Sequence, residues 1–89
     1  QDFLGIVKEC TDHYALIEER NYFKVGDVVE FFGPGLEPFT YQIHKMYDEK
    51  HQEIDIARHP RMLVYLPVEK KLNENVMMRL KVFDKNDYL

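Results

Sequence analysis

The chain has 89 residues, a net charge of −4 and a 45% hydrophobic content that includes six Tyr and six Phe. That length holds one domain and not two, and that apolar content argues for a folded globule rather than a tail. The acidic balance argues against attraction of a polyphosphate over the whole surface, which leaves local basic patches as the route to nucleic acid.

In chain order, Phe3–Cys10 predicts a first strand, with Gly5 marking a bend or a close approach inside it. His13–Glu19 predicts a second strand, so the chain begins with a hairpin. Helix competes over 14–20, because Ala, Leu and Glu are good helix formers, but the segment is short and flanked by strand-like runs. Gly26-Asp27 is a turn pair, and Gly33-Pro34-Gly35 is a second turn. Between them lies a third strand, about residues 27–32. Val25, Val29 and Phe31 share one parity, and Val28 and Phe32 share the other with Glu30 between them. Both faces are therefore partly apolar, as in a strand that curls into a small barrel.

Pro38 predicts a strand start or a sheet edge, where its missing N–H does no harm. Phe39–Tyr47 predicts a fourth strand with Phe39, Tyr41 and Ile43 inward and Thr40, Gln42 and His44 outward. The parity slips before Met46, which predicts a bulge near Lys45. Residues 48–53 read as a charged loop, and Ile54–Pro60 as a connector with room for one helical turn. Met62–Leu66 predicts a fifth strand, stopped by Pro67. Val68–Asn75 reads as a polar link with a turn at Asn73-Glu74-Asn75. Val76–Phe83 predicts a sixth strand, with Met78, Leu80 and Val82 inward and Arg79 and Lys81 outward; residues 84–89 read as a frayed tail. Six short strands without sustained helical periodicity predict an all-β barrel or sandwich in one domain, residues 1–89.

Cys10 is the single cysteine, so no internal disulfide can form and a reducing cytoplasm is the expected compartment. No apolar run approaches the roughly 18 residues of a membrane helix, and no signal peptide is visible. The sequence opens on Gln1-Asp2-Phe3 without an initiator Met and reads as a piece of a larger protein.

Few residue groups suggest chemistry. Cys10 and His13 could meet on a hairpin as nucleophile and base, but neither a second Cys nor a His-x-x-x-His pair supports them. Asp48, Glu49, Glu53 and Asp55 lack the spacing of a calcium loop and read as a solvated face. Pro34 removes a donor that a phosphate cradle at Gly33–Gly35 would need. Met46, Met62, Met77 and Met78 read as core filling, with Met77 alone on an exposed parity. No catalytic residue, metal site or cofactor is predicted. The compact positive cluster Arg58-His59-Pro60-Arg61, joined in space by Lys24 and Lys45, is the candidate contact for RNA or another substrate. Tyr41, Tyr47 and Tyr65 are candidate stacking partners. The competing reading pairs Arg58 and Arg61 with Asp48, Glu49 or Asp55.

Three fragments carry a resemblance. Arg20-Asn21-x-Phe23-x-Val25-Gly26-Asp27-x-Val29-Glu30-x-Phe32-Gly33-Pro34, then Met46-x-Asp48-Glu49, then Ile54-Asp55-x-Ala57-x-His59-Pro60 resemble the C-terminal domain of the collagenase-like peptidase family, peptidase family U-32. Tyr47 stands where that family often has Trp, and Lys50-His51-Gln52 lacks the Gly the family tends to use. The resemblance implies a small closed six-stranded β-barrel, like the barrel domains of translation elongation factors. It also implies a larger catalytic domain as partner, in proteins described as peptidases or as hydroxylating transfer or ribosomal RNA. The domain would then be an accessory that positions protein or RNA substrate or packs against its catalytic neighbour. The alternative is a protein-interaction or self-association module.

Overall fold

A computed structural model describes residues 3–81. Ten strands run through them: β1 Phe3–Cys10, β2 Ala15–Glu19, β3 Phe23–Lys24, β4 Val28–Gly33, β5 Leu36–Gln42, β6 Met46–Tyr47, β7 Glu53–Ile54, β8 Ile56–Ala57, β9 Leu63–Leu66 and β10 Met77–Leu80. Eight form one antiparallel sheet in the order β5-β4-β10-β1-β2-β9-β6-β7, and β3 pairs with β8 in a second sheet. The all-β reading stands. The expected six-strand count does not, because short strands too brief for an alternation signal make up the difference. No hydrogen-bond ladder joins β5 to β7 among the described residues, so the large sheet is not closed into a barrel. The small sheet and its turns lie between those two edges instead. Val25 N–H donates to the Asp55 carbonyl, between β7 and β8, and Gly26 N–H donates to the Ile43 carbonyl just past β5.

Glycine and proline sit where backbone geometry demands them. A Cβ on Gly5 would lie 2.6 Å from Ile17 Cγ2 and 2.8 Å from the Glu18 carbonyl oxygen, so β1 and β2 approach this closely only with glycine there. The ladder of β1 with β10 is irregular at the same place. Pro34 and Gly35 form the β4–β5 turn, with Gly35 at φ 74° in the second central position. Pro38 lies on the edge strand β5, beside the register irregularity between Phe31 and Gly33.

The core gathers inward-facing residues from the large sheet: Val7, Ile17, Val29, Phe31, Met46, Val64, Leu66 and Met78. Phe23 and Ala57 join it from the small sheet. Val68 and Leu72 join it too, although the sequence placed both in a polar link. Each large side chain buried here stabilises the fold by about 1.5–3 kcal/mol relative to exposure.

Two local expectations are corrected. The parity slip before Met46 is not a bulge: Ile43–Lys45 leave the ladder altogether, separating β5 from β6, while Ile43 stays buried by donating to the Asp27 carbonyl. The connector at 54–60 holds no helical turn but the β7 and β8 strands. The predicted inward Val82, Phe83 of the last strand and the tail 84–89 lie outside the described residues.

Candidate functional site

The small sheet is built around two buried residues. Phe23 and Ala57 pair across it and are fully buried. Alternation along a strand therefore turns their neighbours Tyr22, Lys24 and Arg58 outward, and all three are exposed. Tyr22 is 51% exposed, more open than Tyr14 at 43%.

Arg58, His59 and Arg61 are all exposed around a tight turn at the end of this sheet. Met62 N–H donates to the His59 carbonyl at 3.1 Å, with Pro60 and Arg61 in the central positions and Arg61 at φ 64°. That is a type II turn, whose second central place normally goes to glycine. An arginine there costs about 1 kcal/mol or more of backbone strain. The turn is clamped to β2: Arg61 N–H donates to the Glu19 carbonyl at 2.9 Å, and Glu19 N–H donates to the Met62 carbonyl at 2.9 Å.

Glu19 was missed in the sequence, where it closes the second strand with no face assigned to it. It is 2% exposed, and its Oε1 has no hydrogen-bond partner among the described residues. Burial raises its carboxyl above the usual range, against the lowering pull of the Arg61 N–H and the His59 charge. The signal was available: Ala15, Ile17 and Glu19 share one parity, and both of the others are fully buried.

Of the predicted contact residues, the structure gathers Arg58, His59 and Arg61 in one turn and places Lys24 on the strand facing β8. Lys24 is not a free cation. Its Nζ lies 2.9 Å from Asp27 Oδ1, and that hydrogen bond holds its ammonium above the ordinary value. Lys45 is exposed in the Ile43–Lys45 link, which the Gly26–Ile43 hydrogen bond ties to the β3–β4 turn. The expected pairing of Arg58 and Arg61 with Asp48, Glu49 or Asp55 is not found: neither arginine makes an ion pair among the described residues. Asp48 is engaged within its own loop, its Oδ1 accepting from Lys50 N–H and Gln52 N–H, each at 2.9 Å.

The expected stacking residues separate. Tyr41 is half-buried against Phe31 at 6.1 Å, and its hydroxyl donates to the Pro67 carbonyl at 3.2 Å. Burial, then Glu69, raises its pKa. Tyr47 and Tyr65 are cross-strand partners on β6 and β9. Tyr22, which the sequence reading passed over, is the aromatic beside Lys24 and Arg58.

Other groups are accounted for by their neighbours. Cys10 Sγ turns to the 70–72 segment, accepting from Leu72 N–H at 3.2 Å, while His13 N–H donates to Thr11 Oγ1. Arg79 does face outward, as expected, and lies 4.3 Å over the Phe32 ring while its Nη2 donates to Glu30 Oε1 at 2.6 Å. That hydrogen bond holds the Glu30 carboxyl below the usual range. No group of three or more His, Cys, Asp and Glu side chains converges as a metal site would among the described residues.

The likeness to known proteins covers this whole arrangement. The tRNA hydroxylation protein P1 of Bacillus subtilis (strain 168) is 42% identical over 80 residues, which are 88% of this chain. The chain spans 19% of that relative's length. The crystal structure of the C-terminal domain of a Geobacillus thermoleovorans protein described as a U32 peptidase superimposes with a TM-score of 0.87 at 41% identity, covering 91% of this chain and 93% of that one. Its selenomethionine variant gives 0.84 at 42% identity, covering 89% and 99%. Residues 1–79 match the family described as the peptidase family U32 C-terminal domain. The family match over residues 1–79, with 41–42% identity to relatives over 88–91% of the chain, places this chain in that family.

Proposed function

We propose that this domain is a non-catalytic accessory of a larger U32 protein and that it positions RNA for the remainder of that protein. The observation that carries the reading is the turn at 58–61. It presents two arginines and a histidine, fixed by backbone hydrogen bonds to β2, with no ion pair to either arginine among the described residues. A strained arginine in a glycine position is kept only at some cost, which suits a side chain held for contact rather than for stability. Tyr22 beside it offers a ring on which an unpaired base can stack, worth about 1–3 kcal/mol per base. Lys45 extends the positive rim, and Lys24 contributes once Asp27 yields it. The relative named for tRNA hydroxylation favours RNA over protein as the substrate. A cytoplasmic setting goes with this proposal; no helix among the described residues is long and apolar enough to cross a membrane.

Titration with transfer RNA at two salt concentrations tests this. Binding through these cations weakens steeply with salt, and each lost phosphate contact lowers the log–log slope by about 0.7–0.9. Arg58→Ala with Arg61→Ala should weaken binding about tenfold and reduce that slope by between about one and two. Binding that ignores both salt and the double substitution overturns the proposal. So does an unchanged substrate affinity and turnover when the domain is deleted from a full-length U32 protein.

A further inference from the structure

A second surface is built differently. In the ladder of β2 with β9, Ala15 pairs with Leu66 and Ile17 with Val64, and all four are fully buried. Alternation sends Leu16, Glu18, Leu63 and Tyr65 to the opposite face, and Tyr47 lies across from Tyr65. Tyr14 meets both rings edge to face, at 6.5 Å from Tyr47 and 6.0 Å from Tyr65. His51 stacks on Tyr65 at 4.9 Å with an interplanar angle of 22°. Leu16, only 8% exposed, is the floor of this aromatic patch, and Tyr14, 43% exposed, is its summit.

Beside the patch lies a shallow cleft of about 230 Å³ lined by Asp48, Glu49, Lys50, Gln52, Met62 and Leu63. Its apolar sides come from Met62 and Leu63, and its polar wall carries two carboxylates against one ammonium. Glu53 pairs with Tyr47 at the same margin and is exposed. Such a cleft suits the aliphatic stem and cationic head of an arginine or lysine, and the tyrosine and histidine faces suit the same guanidinium. A phosphate backbone would meet net negative charge here, so RNA is disfavoured on this face.

We infer that this face docks against the part of the U32 protein that lies outside this domain, through a surface that presents arginine or lysine around an apolar centre. The inference rests on the reading of the domain as an accessory of a longer chain. That relative's remaining length, all but 19% of it, supplies the partner. Clustered tyrosines that exclude water around a buried leucine are the composition of an interface centre. On this arrangement the molecule has two working surfaces that adjoin at Met62: the small sheet and its turn face RNA, and the tyrosine face holds the domain on its neighbour.

Tyrosine nitration, read site by site by mass spectrometry, tests it without RNA present. The full-length U32 protein is compared with the isolated domain, which the solved relative shows can stand as a separate chain. Tyr14 should react at least about fivefold more slowly in the full-length protein, because an interface rim excludes water and solutes from its centre. Tyr22, on the small sheet, should react equally in both. Glu49→Arg in the full-length protein should restore much of the Tyr14 reactivity, since Glu49 is exposed and its replacement leaves the core untouched. Equal Tyr14 rates in the two proteins overturn the inference. Protection that appears only on adding transfer RNA assigns the face to nucleic acid, and protection that grows with concentration of the isolated domain assigns it to a second copy; either result also overturns it. The RNA titration on Arg58 and Arg61 is a separate readout, so the two proposals fail independently.

Discussion

The small sheet and the tyrosine face solve opposite problems with the same antiparallel geometry. At the small sheet, backbone hydrogen bonds do the positioning and leave Arg58 and Arg61 without ion pairs among the described residues. At the tyrosine face, the side chains position one another: Tyr14, Tyr47, Tyr65 and His51 form a connected set of ring contacts. Charge follows the same division. Cations dominate the 58–61 turn, and carboxylates dominate the 48–53 margin. A domain with net charge −4 can therefore carry a positive edge, because its acids are concentrated elsewhere or engaged locally, as Asp27 is with Lys24 and Glu30 with Arg79.

The loss that should separate the two regions most sharply is Phe23→Ala. Phe23 is fully buried and anchors the small sheet, so its truncation should cost about 3–5 kcal/mol by chemical denaturation. RNA affinity should fall with it, while nitration of Tyr14 in the isolated domain keeps its rate wherever the domain is still folded. A smaller cost points to a small sheet that is an ornament rather than part of the core.

Glu19→Gln comes next and carries a sign. The folded state holds the Glu19 proton more tightly than the unfolded chain does, because burial raises its carboxyl. Its favourable contribution is thus complete below the ordinary carboxylate range and lost as pH rises through the raised folded value. The amide removes the buried charge, so the variant should be more stable than the parent by about 1 kcal/mol at neutral pH. That advantage should vanish in acid. Urea melts at the two pH values measure it, and a parent more stable at neutral pH would show that the carboxylate is better satisfied than its isolated Oε1 suggests.

On the other side, Tyr14→Ala removes two edge-to-face contacts and should cost about 1 kcal/mol. A double-mutant cycle with Tyr65→Ala should recover about 0.5–1.5 kcal/mol of coupling. Additive costs would mean that the rings are neighbours without interacting. The smallest expected effect is Arg61→Gly. Relief of the left-handed arginine exceeds the entropy glycine adds to the unfolded chain by about 0.5 kcal/mol. A higher melting temperature together with weaker RNA binding would show that this position trades stability for contact.

Phe3–Cys10 was read with its observed bounds, since a β-branched and aromatic run between turn signals has few competitors. Gly5 marks a bend or a close approach in the sequence, and the distances to Ile17 and Glu18 select the close approach. β7 and β8 could not be read, because two-residue strands have no periodicity and exist only where a partner supplies their hydrogen bonds. Val68 and Leu72 were lost for a related reason: apolar residues in a stretch without alternation reveal no face. His51 shows the converse. The missing glycine of the loop was visible in sequence, and the structure places His51 at φ 63°, inside a turn that Asp48 closes.

The sequence by itself determined the all-β class, the first hairpin, the lone basic cluster and the family likeness, because each is written in local alternation, turn chemistry or residue identity. Tertiary structure alone decided that the large sheet stays open and is bridged by β3 and β8, since ladder order depends on contacts between distant segments. It alone decided which charges are spent in ion pairs and which stand free, and it alone gathered Tyr14, Tyr47, Tyr65 and His51 into one surface. Those residues lie on four separate segments, and only the register of β2, β9 and β6 makes them neighbours.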